Sequence, residues 1–221
     1  MIDSKNRKKF VVGVIGTQNT GKSTFIRDIL YEFSETSMEF KTVGCDYRKK
    51  IEEAGLSINR NGNLKSQRVI MDTLLEQLDM IVNEMPSGNY IMDRTPIDAY
   101  VYTIYLKRHN PELGITDKDL DDFLRNVVES MPKYDRIIFF DLDDCMNIDV
   151  VDDKFRDTDL DYRREIDAIF KEVVQQVDRN KIVFRGIKGT REERVEAFLE
   201  TQCAGFEINS EYEEIQNENK K

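Results

Sequence analysis

Apolar and polar positions alternate in two registers along the 221-residue chain, and each change of register marks a strand giving way to a helix. Phe10 to Ile15 form an apolar run of strand length, after which Phe25, Ile26, Ile29, Leu30 and Phe33 recur at helical spacing. Phe40 to Val43 predict a short second strand, and residues 57–65, with Asn59, Asn61, Gly62 and Asn63, a loop. Ile70, Leu74, Leu78 and Ile81 draw one face of a long amphipathic helix, which Pro86-Ser87-Gly88 breaks before a strand at Tyr90 to Met92. Pro96 stands just inside the next helix, ended by Asn110-Pro111, and another helix covers 117–130. Arg136 to Phe140 read as a buried central strand opening into an acidic, irregular stretch. Ile166, Ile169, Phe170, Val173 and Val177 make a helical stripe, Ile182 to Phe184 a last strand, and Thr190 to Leu199 a final helix with Glu193 placed for a capping box.

About five short strands separated by helices predict an α/β fold. Parallel strands need crossovers, and helices on both faces of the sheet explain why the strands are apolar throughout. Ligands of such sheets collect at the carboxyl ends of strands, where Gly16, Asp46, Asp93 and Asp141 all fall. The length suits one domain, taken as residues 1–205, followed by an acidic tail at 206–221.

Cys45, Cys145 and Cys203 are widely spaced and odd in number, which suggests neither a disulfide framework nor a zinc site and fits a reducing cytoplasm, or a host cytoplasm for a viral protein. No apolar stretch is long enough to cross a bilayer, and the charged N-terminus lacks a following signal-type apolar region. The net charge of −10 argues against a protein that coats nucleic acid. That charge is uneven: residues 1–70 carry 13 Lys and Arg against 8 Asp and Glu, and the remainder 20 against 35. A polyphosphate pocket requires local positive charge whatever its second substrate, and a polynucleotide track is the other reading.

The strongest chemical signal follows the first strand. Gly16-Thr17-Gln18-Asn19-Thr20-Gly21-Lys22-Ser23 has the spacing of a Walker A loop, with Thr24 opening the helix behind it. Its glycines let backbone N–H groups turn onto phosphates, Lys22 reaches their outer oxygens, and Ser23 offers a hydroxyl to Mg²⁺. The positive helix N-terminus adds to the cradle, so ATP with Mg²⁺ is the expected ligand.

A second signal is Asp93-Arg94-Thr95-Pro96-Ile97-Asp98, where a strand becomes a helix. An acid there holds Mg²⁺ through water, and the planar fork of Arg94 suits an acceptor phosphate or the migrating phosphoryl group. The plainer alternative is that Asp93 caps a helix and Arg94 makes a structural ion pair. Asp141 follows the more apolar strand and competes with Asp93 for the metal. His109 lies beside a helix-ending Asn-Pro and reads as a surface residue. No His and Cys constellation supports nucleophilic catalysis.

Together these motifs resemble P-loop kinases of the thymidylate kinase and deoxynucleoside kinase group, with the closest likeness to ribosylnicotinamide kinase-like domains common in bacteriophages. The later motifs of that branch occur here in order: Asp141, Asp153-Lys-Phe-Arg156, Tyr162-Arg163-Arg164-Glu165, Ile182-Val-Phe-Arg-Gly186 and Arg191-Glu-Glu-Arg194. The resemblance implies a three-layer P-loop NTPase fold with a mobile lid at about 142–165, whose Arg156, Arg163 and Arg164 bridge the two substrates. The likeness to deoxynucleoside kinases also implies that Asp46 is the candidate general base, although the residue expected there is usually a glutamate. On this reading Lys22, Asp46, Asp93, Arg94, Arg156 and Arg163 are catalytic, and Ser23 with Asp93 or Asp141 holds the metal.

The function expected is a kinase moving the γ-phosphoryl group of ATP to a hydroxyl of a nucleoside, nucleotide or modified nucleobase. A 5-hydroxymethyluracil in phage DNA is one variant, because Arg48, Lys49, Lys50, Arg60, Lys65 and Arg68 could track a strand backbone. A nucleotide-dependent switch or regulatory ATPase without an acceptor is the rival. The specificity pocket is expected from Tyr47, the 57–65 loop and the helix bearing Tyr100 to Tyr105.

Overall fold

The computed structural model describes residues 9–36, 38–44, 47–145, 158–177, 182–185 and 188–200. Five parallel strands make one sheet, in the order β2-β3-β1-β4-β5. They are β1 (Phe10–Ile15), β2 (Phe40–Lys41), β3 (Asn89–Asp93), β4 (Arg136–Phe139) and β5 (Ile182–Arg185). The period-two geometry of a strand sends alternate side chains to opposite faces. Accordingly Val11 and Ile15 of β1 join one apolar cluster while Val12 and Val14 join another, and β3 and β4 divide the same way. Both faces are therefore covered, as their continuous apolar character requires.

One face is covered by α1 (Lys22–Glu32) and by a helix over 191–200, here α7. There Phe25, Phe33, Phe40 and Phe198 pack mostly edge to face, with ring centroids 5.4–6.3 Å apart. The other face carries α2 (Tyr47–Glu53), α3 (Leu64–Asn83), α4 (Pro96–His109), α5 (Asp117–Ser130) and α6 (Leu160–Gln176). Every residue of α4 from Pro96 to Leu106 is buried, which is why its sequence shows little amphipathic stripe.

The helix starts follow local chemistry. Asn63 and Ser66 form a reciprocal capping box on α3, and Thr95 and Asp98 form one on α4. Thr190 and Glu193 do the same for α7: Glu193 Oε2 accepts from Thr190 N at 2.7 Å. Gly13 has no room for a side chain, because a Cβ there would lie 2.5 Å from the Thr95 methyl group. That contact seats the start of α4 against β1.

Arg48, Lys49 and Lys50 lie in α2, where Tyr47 and Ile51, four apart, turn the same buried face inward. The stretch 57–65 is shorter as a loop than expected: Asn59–Asn61 make a 3-10 turn and α3 starts at Leu64, because Asn63 supplies its cap. The second strand is likewise limited to Phe40–Lys41. Asp46, Arg156, Gly186, most of the expected lid and the 206–221 tail lie outside the described residues. Among the described residues no helix is long and apolar enough to cross a membrane.

The chain leaving β1 runs toward the β2 edge and the chain leaving β4 toward the β5 edge. A crevice opens at the carboxyl ends of adjacent strands whose connections diverge in this way.

Candidate active site

Residues 16–21 turn directly out of β1. Gly16 has φ 134°, and a Cβ on it would lie 2.6 Å from the Phe140 carbonyl oxygen, so both backbone shape and space demand glycine. Gly21, at φ 84°, delivers the chain into α1 without a side-chain cap. Asn19 takes φ 57°, a conformation asparagine tolerates better than most residues. Thr17, Gln18, Thr20 and Lys22 are buried, and Thr24 lies in the first turn of α1.

Lys22 Nζ folds back to donate to Thr17 O and, at 3.3 Å, to Thr20 Oγ1. Burial first, and the charge of Arg94 second, lower its pKa from 10.5 to about 7. A cation so poorly compensated is poised for an anion. Thr17 Oγ1 is buried without a hydrogen-bond partner.

The end of β3 faces this loop. Ser23 Oγ donates to Asp93 Oδ2 at 2.7 Å, bringing together the hydroxyl and the carboxylate that hard cations favour. Immediately after, Arg94 adopts φ 85°, unusual for a residue with a side chain and costing about 1–3 kcal/mol. Its N–H extends the sheet ladder to Val14 O at 3.0 Å. Its guanidinium donates to Asp98 Oδ1 at 2.9 Å and lies 5.8 Å from the Tyr102 ring centroid.

Asp98 also accepts Thr95 N at 2.9 Å. Burial raises its pKa to about 6 against the pull of Arg94, leaving it ionised at neutral pH. For Arg94, burial disfavours the charge, but the surrounding phenols and carboxylates outweigh it and hold the pKa above its ordinary value. Asp98 thus positions Arg94 as well as capping α4, so the structural ion pair foreseen as the plainer alternative is present.

Arg94 and Asp98 open onto a pocket. Tyr47 and Tyr102 supply aromatic walls, Ile58, Ile70 and Ala99 apolar ones, and Asn59 and Gln67 polar groups. Tyr102 Oη donates to Gln18 Oε1 at 3.2 Å, tying this pocket to the phosphate loop. Gln67 is buried, and its Oε1 lacks a hydrogen-bond partner.

Other residues singled out from the sequence stand elsewhere. Asp141 is engaged by Lys171 at 2.9 Å, in a cluster with Asp143 and Asp167. The three carboxylates have the spacing of a cation site, but the Lys171 ammonium already lies within 2.8–2.9 Å of each. It is thus Asp93 that meets Ser23. Arg163 is buried behind the loop, donating to its carbonyl groups, and burial lowers its pKa. Arg164 is exposed, 3.9 Å from Asp161. His109 is at the surface, stacked on Tyr105.

Gln67 and Arg194 were not anticipated as site residues. Gln67 is one polar residue on an amphipathic helix, and nothing in its spacing sets it apart. Arg194 lies in a motif noted only for its order, and its approach to the loop depends on how α7 packs.

Residues 11–194 match the family described as AAA domain. No curated protein matches the sequence. Among solved structures, thymidylate kinase from Candida albicans superposes with a TM-score of 0.64 at 16% identity, over 90% of this chain and 92% of that one. NadR protein in complex with NAD and AMP-PNP gives 0.57 at 14% identity, over 85% of this chain and 47% of that one. NadR in complex with NR gives 0.52 at 16%, over 76% and 41%. This chain therefore spans about half the length of NadR or less. At these identities the shared property is the fold, an α/β P-loop architecture with a parallel sheet flanked by helices.

Proposed function

The chain belongs to the AAA domain family, and from that premise we propose that it is an ATP- and Mg²⁺-dependent kinase whose acceptor is a free nucleoside or nucleotide. The observation that carries the reading is the adjacency of two sites. A phosphate loop with a charge-starved Lys22 abuts a pocket holding a fixed Arg94, and Tyr102 touches both. A switch ATPase needs the first site and has no use for the second. The thymidylate kinase and NadR folds, the latter solved with AMP-PNP, support the same reading.

The residues fit the implied ligands. Gly16 to Thr24 would hold the triphosphate, and Ser23 with Asp93 would hold Mg²⁺, which neutralises charge on phosphate oxygens. In the reaction an acceptor hydroxyl oxygen bonds to the γ-phosphorus and the bond to the β–γ bridging oxygen breaks. ADP leaves with that electron pair, and the hydroxyl proton passes to a carboxylate. Asp46 is our candidate for that base, next in sequence to the pocket residue Tyr47. Lys22 and Arg94 are assigned to charge stabilisation, and Arg156 to the lid implied by the sequence.

A polar, donor-bearing acceptor suits the orphan Gln67 oxygen. The basic residues that could have followed a DNA strand are largely engaged with acids. Lys49 pairs with Glu53, Lys50 with Glu76, Arg60 with Asp159 and Arg68 with Asp119. This favours a small acceptor over 5-hydroxymethyluracil in DNA.

A transfer screen with γ-labelled ATP over nucleosides, monophosphates and hydroxymethyl-containing DNA tests the proposal. Label on a small acceptor, with little dependence on salt, is the expected result. Release of label only as inorganic phosphate across the panel would refute it.

A further inference from the structure

A peptide that turns its N–H toward a ligand turns its C=O the opposite way. A carbonyl buried without a donor is costly, so an inward-facing amide cradle needs donors on its outer side. Here they follow one another along the loop. Thr17 O accepts from Lys22 Nζ and, at 2.9 Å, from Thr20 Oγ1. Gln18 O accepts from Arg163 Nε at 3.2 Å and Asn19 O from Arg163 Nη2 at 3.0 Å. Thr20 O faces Arg194 Nη1 at 3.4 Å, and Gly21 O accepts from Phe25 N at 2.9 Å as α1 begins.

Both arginines are buried, Arg163 at 4% and Arg194 at 6% exposure. Arg194 is steadied by donating to Gly189 O at 3.1 Å and by the Phe140 ring, 5.8 Å from its guanidinium carbon. Among the described residues neither forms a salt bridge with a carboxylate, so each spends its N–H groups chiefly on backbone oxygens. Burying a guanidinium without a counter-ion is costly, and a device that shapes the loop accounts for retaining two.

We propose that Arg163 and Arg194 are positioning residues of the nucleotide site, holding the carbonyl groups of Gln18, Asn19 and Thr20 outward so that the loop amides face the polyphosphate. Arg163 is the principal member, because its planar fork spans two adjacent carbonyls, which a lysine ammonium cannot reproduce in the same geometry. On this assignment Arg163 acts through the loop and not on the migrating phosphoryl group, replacing the lid role inferred from its sequence motif. The inference rests on reading residues 16–23 as a triphosphate site.

The test is calorimetric titration of the full chain with Mg-AMP-PNP and, separately, with magnesium tripolyphosphate, alongside a thermal melt. Arg163→Gln and Arg194→Gln should each weaken both probes in parallel, Arg163→Gln by about tenfold or more for its two lost bonds. Arg163→Lys should recover part of the loss and keep the wild-type melting temperature, which separates loop positioning from general unfolding. Unchanged AMP-PNP affinity with slowed turnover would overturn the proposal in favour of direct action on the phosphoryl group. Loss of AMP-PNP binding with tripolyphosphate binding intact would overturn it in favour of contact with the base. A wild-type protein that binds neither probe would bring down the triphosphate reading itself.

Discussion

Binding of a nucleotide to this protein should be accompanied by uptake of a proton, and Lys22 sets the amount. Without ligand its pKa is about 7, because burial and the nearby Arg94 disfavour the ammonium form. A bound polyphosphate supplies the missing counter-charge and should return Lys22 to its ordinary range near 10 or above. At pH 8 the free protein then holds only about a tenth of a proton on this amine, and the complex holds one, so uptake is about 0.9. It falls to about 0.5 at pH 7 and about 0.1 at pH 6. Asp98, raised to about 6, is almost wholly ionised at pH 8 and adds little there.

Titrating Mg-AMP-PNP at pH 8 into protein in phosphate and in Tris buffer reads the uptake directly, since the two buffers differ in ionisation enthalpy. Lys22→Met should abolish the difference. Identical binding enthalpies in both buffers, or a difference that survives in Lys22→Met, would refute the reasoning. The same linkage governs the ligand-free protein. The folded pKa lies below the unfolded value of 10.5, so folding disfavours the proton and stability rises with pH between about 7 and 10.5. The full span of 3.5 pKa units corresponds to about 5 kcal/mol at most, and Lys22→Met should remove that dependence.

Replacing Arg94 by Ala leaves the buried Asp98 without its partner and should cost about 3–5 kcal/mol by chemical denaturation. Adding Asp98→Asn should recover part of that stability without restoring the proposed phosphoryl transfer. Gly16→Ala combines a strained φ of 134° with a Cβ 2.6 Å from the Phe140 carbonyl oxygen. It should lower the melting temperature by several degrees and abolish Mg-AMP-PNP binding in the same titration. Lys171→Met exposes Asp141, Asp143 and Asp167 to one another's charge. Burial already raises the pKa of Asp167, and losing Lys171 raises it further, so the variant should gain thermal stability as pH falls from 7 toward 5. Melts of wild type and variant across that range decide it.

Local chemistry and periodicity made much of this architecture legible. The run from Phe10 to Lys22 encodes a strand, a turn and a helix start in residues that act on their own neighbours. The α4 start is as explicit, since Thr95, Pro96 and Asp98 each have a local reason to be there. What escaped depends on distant contacts. The α2 helix is too short for a periodic signal, with only Tyr47 and Ile51 to mark its face. Asp93 and Asp141 each follow an apolar strand, and the sequence leaves the choice between them open. In the fold Lys171, thirty residues beyond Asp141, and Ser23, seventy before Asp93, tell them apart. Arg163 stands in a motif that the family resemblance assigns to a lid, and its bonds reach back 144 and 145 positions to the loop.

The burial of α4 from Pro96 to Leu106 has a consequence for any attempt to reshape the pocket beside the phosphate loop. That stretch lends Asp98, Ala99 and Tyr102 to the pocket, and its close packing leaves little latitude for bulkier or smaller replacements. The opposite wall, Tyr47 with Ile58 and Asn59, belongs to short outlying segments whose remodelling disturbs far less of the interior. On the proposed function, changes that broaden or narrow acceptor choice should accumulate along that rim.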